Sequence, residues 1–262
     1  MHSGEIAGRQ CVSSALTRAH ALPRADQVLR RCASFGIGLL VLVAFLIRVL
    51  PLTPSFPGAD PESAWRFALN EAVSRGLVFG KDIVYTFGPY ASVLTANYHP
   101  ATDAISLVGS AVLGASLGVG FIVLGSSKRK YPLILIPTVM TLSWIPDPIM
   151  FLEPLVFLAI VCRLSRSDGD PDQLRLNVPV GLALFGLVLS LALLILVKGS
   201  FIGPSIAVIV LACGLLTLRR HAGLALSILL TFALGASAFW TVAGQPLAGL
   251  PRFFLAAAAV MA

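Results

Sequence analysis

The sequence predicts an all-α fold, a polytopic bundle of transmembrane helices. Of its 262 residues, 57% are apolar and only 12% are charged, against roughly 25% charged residues in a typical soluble domain. The apolar residues also fall into long uninterrupted runs, and about 20 apolar residues in a helix cross the hydrocarbon core of a bilayer. These observations exclude a soluble single domain, a disordered chain and a disulfide-stapled secreted module.

The chain is predicted to begin with a basic tail, residues 1–32, which carries five arginines. A secretory signal has a shorter charged region and a small-residue cleavage site, so we expect the tail to be retained in the cytosol. Residues 33–262 form the predicted membrane domain. Its first apolar run covers 33–50, and residues 51–103 follow as a long external loop with five acidic residues.

The rest of the membrane domain supplies further spans. Its apolar runs cover residues 104–125, 131–145, 149–164, 178–197, 201–218 and 222–243. The predicted total is about seven spans. Two runs are short, so the 131–164 hairpin either crosses a thinned bilayer or re-enters from one side. A last run from 253 to 262 is too short to cross, and we expect it to be a partial eighth span of a truncated chain.

The basic residues predict the orientation. With the tail in the cytosol, 13 of the 19 basic residues lie on the inner side and 6 on the outer side, as the positive-inside rule requires. The net charge of +7 is therefore explained by membrane topology. No basic stripe is interleaved with aromatic residues, so nucleic acid is not an expected partner. The expected partners are membrane lipids.

The external loop contains a predicted amphipathic helix. Asp60 and Pro61 are typical of a helix N-cap followed by proline at the first helical position. An apolar stripe at helical spacing follows, at Trp65, Ala68, Leu69, Ala72 and Val73. Glu62–Arg66 and Glu71–Arg75 are spaced as i,i+4 ion pairs, and Gly76 is suited to end the helix. We expect residues 61–75 to lie on the outer membrane surface with Trp65 facing lipid.

The loop continues with the pattern G-L-x-F-G-x-D-I-x-x-T-x-G-P at residues 76–89. An acidic site after the first span, an amphipathic helix and this pattern together resemble the C-type membrane glycosyltransferase superfamily. The resemblance is to a group of multi-spanning bacterial proteins that carry such a loop. The chain departs from many relatives in two ways: Pro61 separates Asp60 from Glu62, and no histidine precedes Pro89.

The resemblance implies an activity and a location. Members of the superfamily use an acidic residue of the first external loop as a base or as a ligand of a divalent metal ion, and Asp60 matches this position. A second acid often lies in the next external loop, where Asp147 matches. Donors are typically sugars linked to polyprenyl phosphate, and the implied location is the bacterial inner membrane.

The chemistry of sugar transfer is consistent with the same residues. A carboxylate is needed near the proton of the acceptor hydroxyl, and Asp60, Glu62 or Asp147 could supply it. Cations stabilise the leaving phosphate, and the external candidates are Arg66, Lys81 and Lys198, with Asp82 and Tyr85 as polar substrate-binding points of the loop. Lys198 has an alternative role as an interfacial anchor, and Asp147 as a turn residue between two prolines.

Two other readings of the sequence stay open. The first is a non-enzymatic membrane protein, such as a transporter or an assembly subunit, and the second is an inactive truncated fragment. A transporter is expected to show related repeats with broken helices, and no internal repeat is found. Glu153 falls just inside an apolar run, where a carboxylate is costly and therefore a functional candidate, unless it is interfacial.

Overall fold

A computed structural model describes residues 36–261, except 41, 44–45, 48, 54, 59, 126–148 and 167–174. The chain divides into two compact units, residues 1–41 and 42–262. In the first unit the described residues, 36–40, are helical. In the second unit, residues 42–43, 46–47 and 49 are helical, and these fall within the predicted first span. The predicted basic tail lies outside the described residues.

The described part of the second unit is built from helices. Their bounds are α1 Pro61–Ser74, α2 Ala91–Thr95, α3 Asp103–Gly125, α4 Leu152–Leu164, α5 Val178–Val197, α6 Ile202–Leu218, α7 Ala222–Val242 and α8 Leu250–Met261. Short 3-10 helices, Gly199–Phe201 and Leu247–Gly249, precede α6 and α8. Extended pairing in the described residues is limited to isolated bridges, so the predicted all-α class is confirmed for this part.

Four of these helices are long and apolar enough to cross a membrane. They are α3, α5, α6 with its preceding 3-10 turn, and α7, and their bounds agree with the predicted runs to within two residues. The described part of the chain is therefore a membrane-embedded helical bundle. The predicted total of about seven spans is not confirmed there, because α4 has only 13 residues. The short α8, with 12 residues, lies where the partial eighth span is predicted. The predicted run 131–145 lies outside the described residues.

Helix α5 is the centre of the bundle. It packs against α3, α4, α6 and α7, and 72% of its apolar span is buried, against 22% for α7. Its sequence contains no charged residue, so it can be surrounded by other helices without leaving an unpaired charge. Asn177 caps its start by accepting a hydrogen bond from the Val180 amide, and Pro179 follows at a position that tolerates proline.

Small residues bring α3 close to the helical segment before the loop. A Cβ on Gly118 would lie 2.6 Å from Leu42 Cδ1, and one on Gly114 would lie 3.3 Å from Leu46 Cδ2. Glycines of this spacing let helix backbones approach closely, which is how helices gain contact energy in lipid. Helix α3 is also bonded to α2, because the Ser106 hydroxyl donates a hydrogen bond to the Ser92 carbonyl at 3.1 Å.

Three segments distant in sequence meet at one end of the bundle. The external loop is hydrogen bonded to the end of α5, through Gly88 N and Val197 O at 3.1 Å, and to Gly199, whose amide donates to the Thr86 carbonyl. It also contacts the connection between α7 and α8 through Gln245. All three segments therefore lie at the same end of the bundle, and the prediction that this end is the outer one stays a prediction.

Candidate functional surface of the loop

Helix α1 forms where the sequence predicts it. Asp60 is the N-cap and accepts a hydrogen bond from the Ser63 amide at 2.9 Å, with proline in the first turn. At the other end, Gly76 has a φ of +65°. The Leu77 amide bonds back to the Ala72 carbonyl at 2.9 Å, which is the hydrogen-bond pattern of a Schellman stop. The predicted helix at 61–75 is confirmed.

Both predicted ion pairs of α1 are present. Glu62 lies 2.8 Å from Arg66, and Glu71 lies 2.7 Å from Arg75. Glu62 also accepts a hydrogen bond from the Trp65 indole at 3.0 Å, and the bonds from Trp65 and Arg66 lower the pKa of Glu62. Bonds from Arg75 and His99 lower the pKa of Glu71. Both carboxyls are therefore ionised at neutral pH.

The buried face of α1 differs from the predicted stripe. Leu69 and Ala72 are buried as expected, but so are Ser63 and Asn70. Asn70 donates to the Asn97 carbonyl at 3.3 Å. The half-buried ring of Trp65 contacts Tyr85 and Phe87 in the extended segment after α1. The helix therefore packs on its own loop, and the contact of Trp65 with lipid stays a prediction.

The first half of the 76–89 pattern anchors the loop to the connection before α8. Phe79 is 1% exposed, and its amide donates to the Gln245 side-chain carbonyl at 3.0 Å. Gln245 in turn donates to the Leu77 carbonyl at 3.1 Å, and Gly80 lies against the backbone of Phe253. Asp82 accepts from the Val78 amide at 2.9 Å. These pattern residues therefore have structural roles.

The second half anchors the loop to the bundle. The Tyr90 amide donates to the Leu196 carbonyl at 3.2 Å, and the Tyr90 hydroxyl donates to the Phe239 carbonyl at 2.8 Å. Burial raises the pKa of Tyr90 to about 12, because the phenolate would lose its hydration. Gly88 sits so close to the Leu196 carbonyl that a side chain would overlap it. Thus α5 and α7 both hold this segment.

An aromatic cluster lies between α1 and the end of α5. The ring centroid of Trp65 is 5.8 Å from that of Tyr85 and 5.0 Å from that of Phe87, and the Tyr85 and Phe87 rings stack at 5.8 Å. Two cations flank it: Arg66 is 5.5 Å from the Trp65 centroid, and Lys198 is 5.2 Å from that of Phe87. We call these five residues the aromatic–cation surface. Tyr85 is 38% exposed whereas Phe87 is buried, so the surface is open to solvent on the Tyr85 side.

Six of the eight predicted site residues separate into two groups. Arg66, Tyr85 and Lys198 belong to the aromatic–cation surface, and Glu62 contacts it through Trp65 and Arg66. Lys81 and Asp82 instead lie 3.8 Å apart in the turn that follows Phe79.

The other two catalytic candidates lie elsewhere. Asp60 is exposed at the start of α1, five residues before Trp65. Asp147 lies outside the described residues.

Sequence reasoning missed Trp65 and Phe87 as parts of this surface. A signal was present for Phe87, because Tyr85 and Phe87 are two residues apart and side chains alternate in an extended chain. Nothing local indicated that both would reach Trp65. Lys198 joins them because it caps the end of α5 in an extended conformation and forms an isolated bridge with Phe87.

The described residues contain no group of three or more His, Cys, Asp or Glu side chains that could hold a metal ion. Asp60 caps α1, and Glu62 is bound to Trp65 and Arg66. Both described carboxyls at the start of α1 therefore already have hydrogen-bond partners. The cations of the aromatic–cation surface are Arg66, which is paired with Glu62, and Lys198, which lies over the Phe87 ring.

Comparison with known proteins finds no relative of this chain. No family model matches the chain, and neither the curated proteins nor the solved structures contain a match. The class of protein is accordingly defined by its own features. It is a membrane-embedded helical bundle with an ordered loop fixed to one end.

Proposed function

We propose that this protein is a glycosyltransferase-like enzyme that uses a sugar linked to polyprenyl phosphate on the extracytoplasmic face of the bacterial inner membrane. The aromatic–cation surface is the observation that carries the proposal. It combines three aromatic rings in mutual contact, two cations and a nearby carboxylate at the end of an apolar bundle. A lipid-linked sugar phosphate needs contacts of each of these kinds.

The rings and cations are suited to the two polar parts of such a donor. A sugar ring presents C–H groups on its faces, and these pack against the negative face of an aromatic ring. Arginine and lysine bind phosphate through charge-assisted hydrogen bonds. Arg66 bonds to Glu62 through Nη2, and its Nη1 N–H groups are the donors proposed for a phosphate oxygen. The prenyl chain would lie along the apolar helices.

The carboxylates of α1 supply the acid–base chemistry. In transfer, the acceptor hydroxyl oxygen attacks the anomeric carbon, and the bond from this carbon to the phosphate oxygen breaks. The polyprenyl phosphate leaves with the electron pair, stabilised by Arg66 and Lys198. Asp60 takes the hydroxyl proton. Its Oδ1 accepts from the Ser63 amide, and its other carboxyl oxygen is the proposed proton acceptor.

Donor binding is tested with undecaprenyl phosphate and the full chain in nanodiscs, by native mass spectrometry. Arg66→Gln and Lys198→Gln should each weaken binding about 10- to 100-fold, because a hydrogen bond to a charged group contributes about 1.5–3 kcal/mol. Arg75→Gln is the matched control, since Arg75 forms the same type of pair on the same helix. Undecaprenol, which lacks the phosphate, should bind all variants alike. An equal loss in Arg75→Gln would contradict a specific phosphate site.

The proposed sidedness follows from the charge asymmetry of 13 to 6 basic residues. In a cysteine-free background, a cysteine at exposed Ser74 should react with an impermeant thiol reagent in intact cells. A cysteine at exposed Thr217, near the opposite end of the bundle, should react only after permeabilisation. The reverse pattern would show that the loop is cytosolic and would exclude an extracytoplasmic active face.

A further inference from the structure

Glu153 is a buried carboxyl that the proposed transfer reaction does not use. It lies in the first turn of α4 and is 1% exposed. Neither of its carboxyl oxygens has a hydrogen-bond partner in the described part of the chain. A polar group left in this state costs free energy, and acidic residues within membrane segments mark functional sites by default.

The carboxyl faces a cavity of about 220 Å³ beneath the external loop. The cavity is lined by residues of four segments. These are Val49 before the loop, Leu94 in α2, Leu113 and Leu117 in α3, and Met150 just before α4. Glu153 is the only ionisable residue among the described lining residues, and Thr53 is the only other one with a polar side chain. The cavity is thus partly open and lined mainly by apolar side chains, with a single acid among the described lining residues.

The size and chemistry of the cavity limit what it can bind. An apolar cavity of about 150 Å³ is already sufficient for a benzene molecule, so a ring or a short alkyl chain fits. An ionised carboxylate in such surroundings requires an opposite charge. The described lining residues supply none. A ligand that brings its own positive charge would satisfy both oxygens and permit ionisation.

We propose that Glu153 and this cavity form a binding site for a lipophilic primary amine. The ammonium group carries one positive charge and three N–H donors, so it can bond to both carboxyl oxygens while its hydrocarbon part fills the chamber. An alcohol offers one donor and no charge. In the absence of ligand the carboxyl carries a proton, and this proton is released when the ammonium binds. The site is independent of the proposed sugar transfer.

The test uses the full chain in nanodiscs, with dodecylamine as ligand and dodecanol as its uncharged match. Dodecylamine should bind the native chain at least tenfold more tightly than it binds Glu153→Gln, measured by native mass spectrometry. Leu94→Phe, which narrows the cavity and keeps the acid, should also weaken binding. Glu71→Gln, which alters an acid outside the cavity, should not.

Dicyclohexylcarbodiimide gives a second, independent measurement, since it modifies protonated carboxyls from the apolar phase. Peptide mapping should find the adduct at Glu153, and dodecylamine should suppress it at least tenfold more than dodecanol does. Equal dodecylamine affinity in the native chain and Glu153→Gln would overturn the proposal. Protection by dodecanol equal to that by dodecylamine, or no adduct at Glu153, would also overturn it.

Discussion

Asp60→Asn should reduce sugar transfer at least 10²-fold while membrane abundance stays normal. A general base typically contributes 10²–10⁴-fold to a rate, and asparagine cannot take up the acceptor proton. The structural role of Asp60 is preserved, because its side-chain oxygen accepts from the Ser63 amide and asparagine caps helices about as well as aspartate. The measurement is release of labelled sugar from undecaprenyl-phosphate-linked glucose or mannose in proteoliposomes.

Two variants separate catalysis by Asp60 from a cap effect. Asp60→Ala removes both functions and should also lower stability by about 1 kcal/mol. Glu62→Gln weakens the contacts with Trp65 and Arg66, so it should raise KM more than it lowers kcat. Near-native turnover in Asp60→Asn would show that Asp60 is only a cap, and Glu62 would become the carboxylate to test.

Gly88→Leu should detach the external loop from the bundle. The Cβ at this position would overlap the Leu196 carbonyl and crowd the Phe253 ring, and the overlap involves backbone that cannot rotate away. The bonds from the amides of Gly88 and Tyr90 to the end of α5 would be lost together. We expect limited proteolysis within residues 76–90 to become at least tenfold faster, with the apolar helices still inserted.

The matched control for this variant is Gly203→Leu, because a side chain at Gly203 meets nothing within 4 Å. It should leave the rate of loop cleavage unchanged. Cleavage of Gly88→Leu at the native rate would mean that the loop is held by other contacts, such as those of Phe79 with Gln245. Combining Gly88→Leu with Gln245→Ala would then identify which anchor dominates.

The helices were predictable from local signals. Helix α5 has the predicted bounds, because an uncharged apolar run lies between a polar cap at Asn177 and the charge of Lys198. Helix α1 was predictable from Asp60, Pro61 and Gly76 for the same reason: caps and periodicity act over a few residues. The span count was less predictable, since the short α4 gives no signal of whether it crosses.

The position of the loop could not be predicted. It is fixed mainly by backbone hydrogen bonds, such as those of Gly88 with Val197 and of Phe79 with Gln245. Every residue offers the same backbone groups, so sequence carries little information about which ones pair over long distances. For the same reason the meeting of Trp65, Phe87 and Lys198 was not predicted.

The bond between Phe79 and Gln245 joins residues 166 positions apart, and this separation has a consequence for synthesis. Ribosomes add about 5–20 residues per second, so the loop leaves the ribosome roughly 8–33 s before its partner exists. Until then Phe79 and the edge of the loop have no completed surface to bury against. Chaperones and proteases of the compartment that receives the loop can therefore act on it during this interval. The interval ends when the connection after α7 has been synthesised.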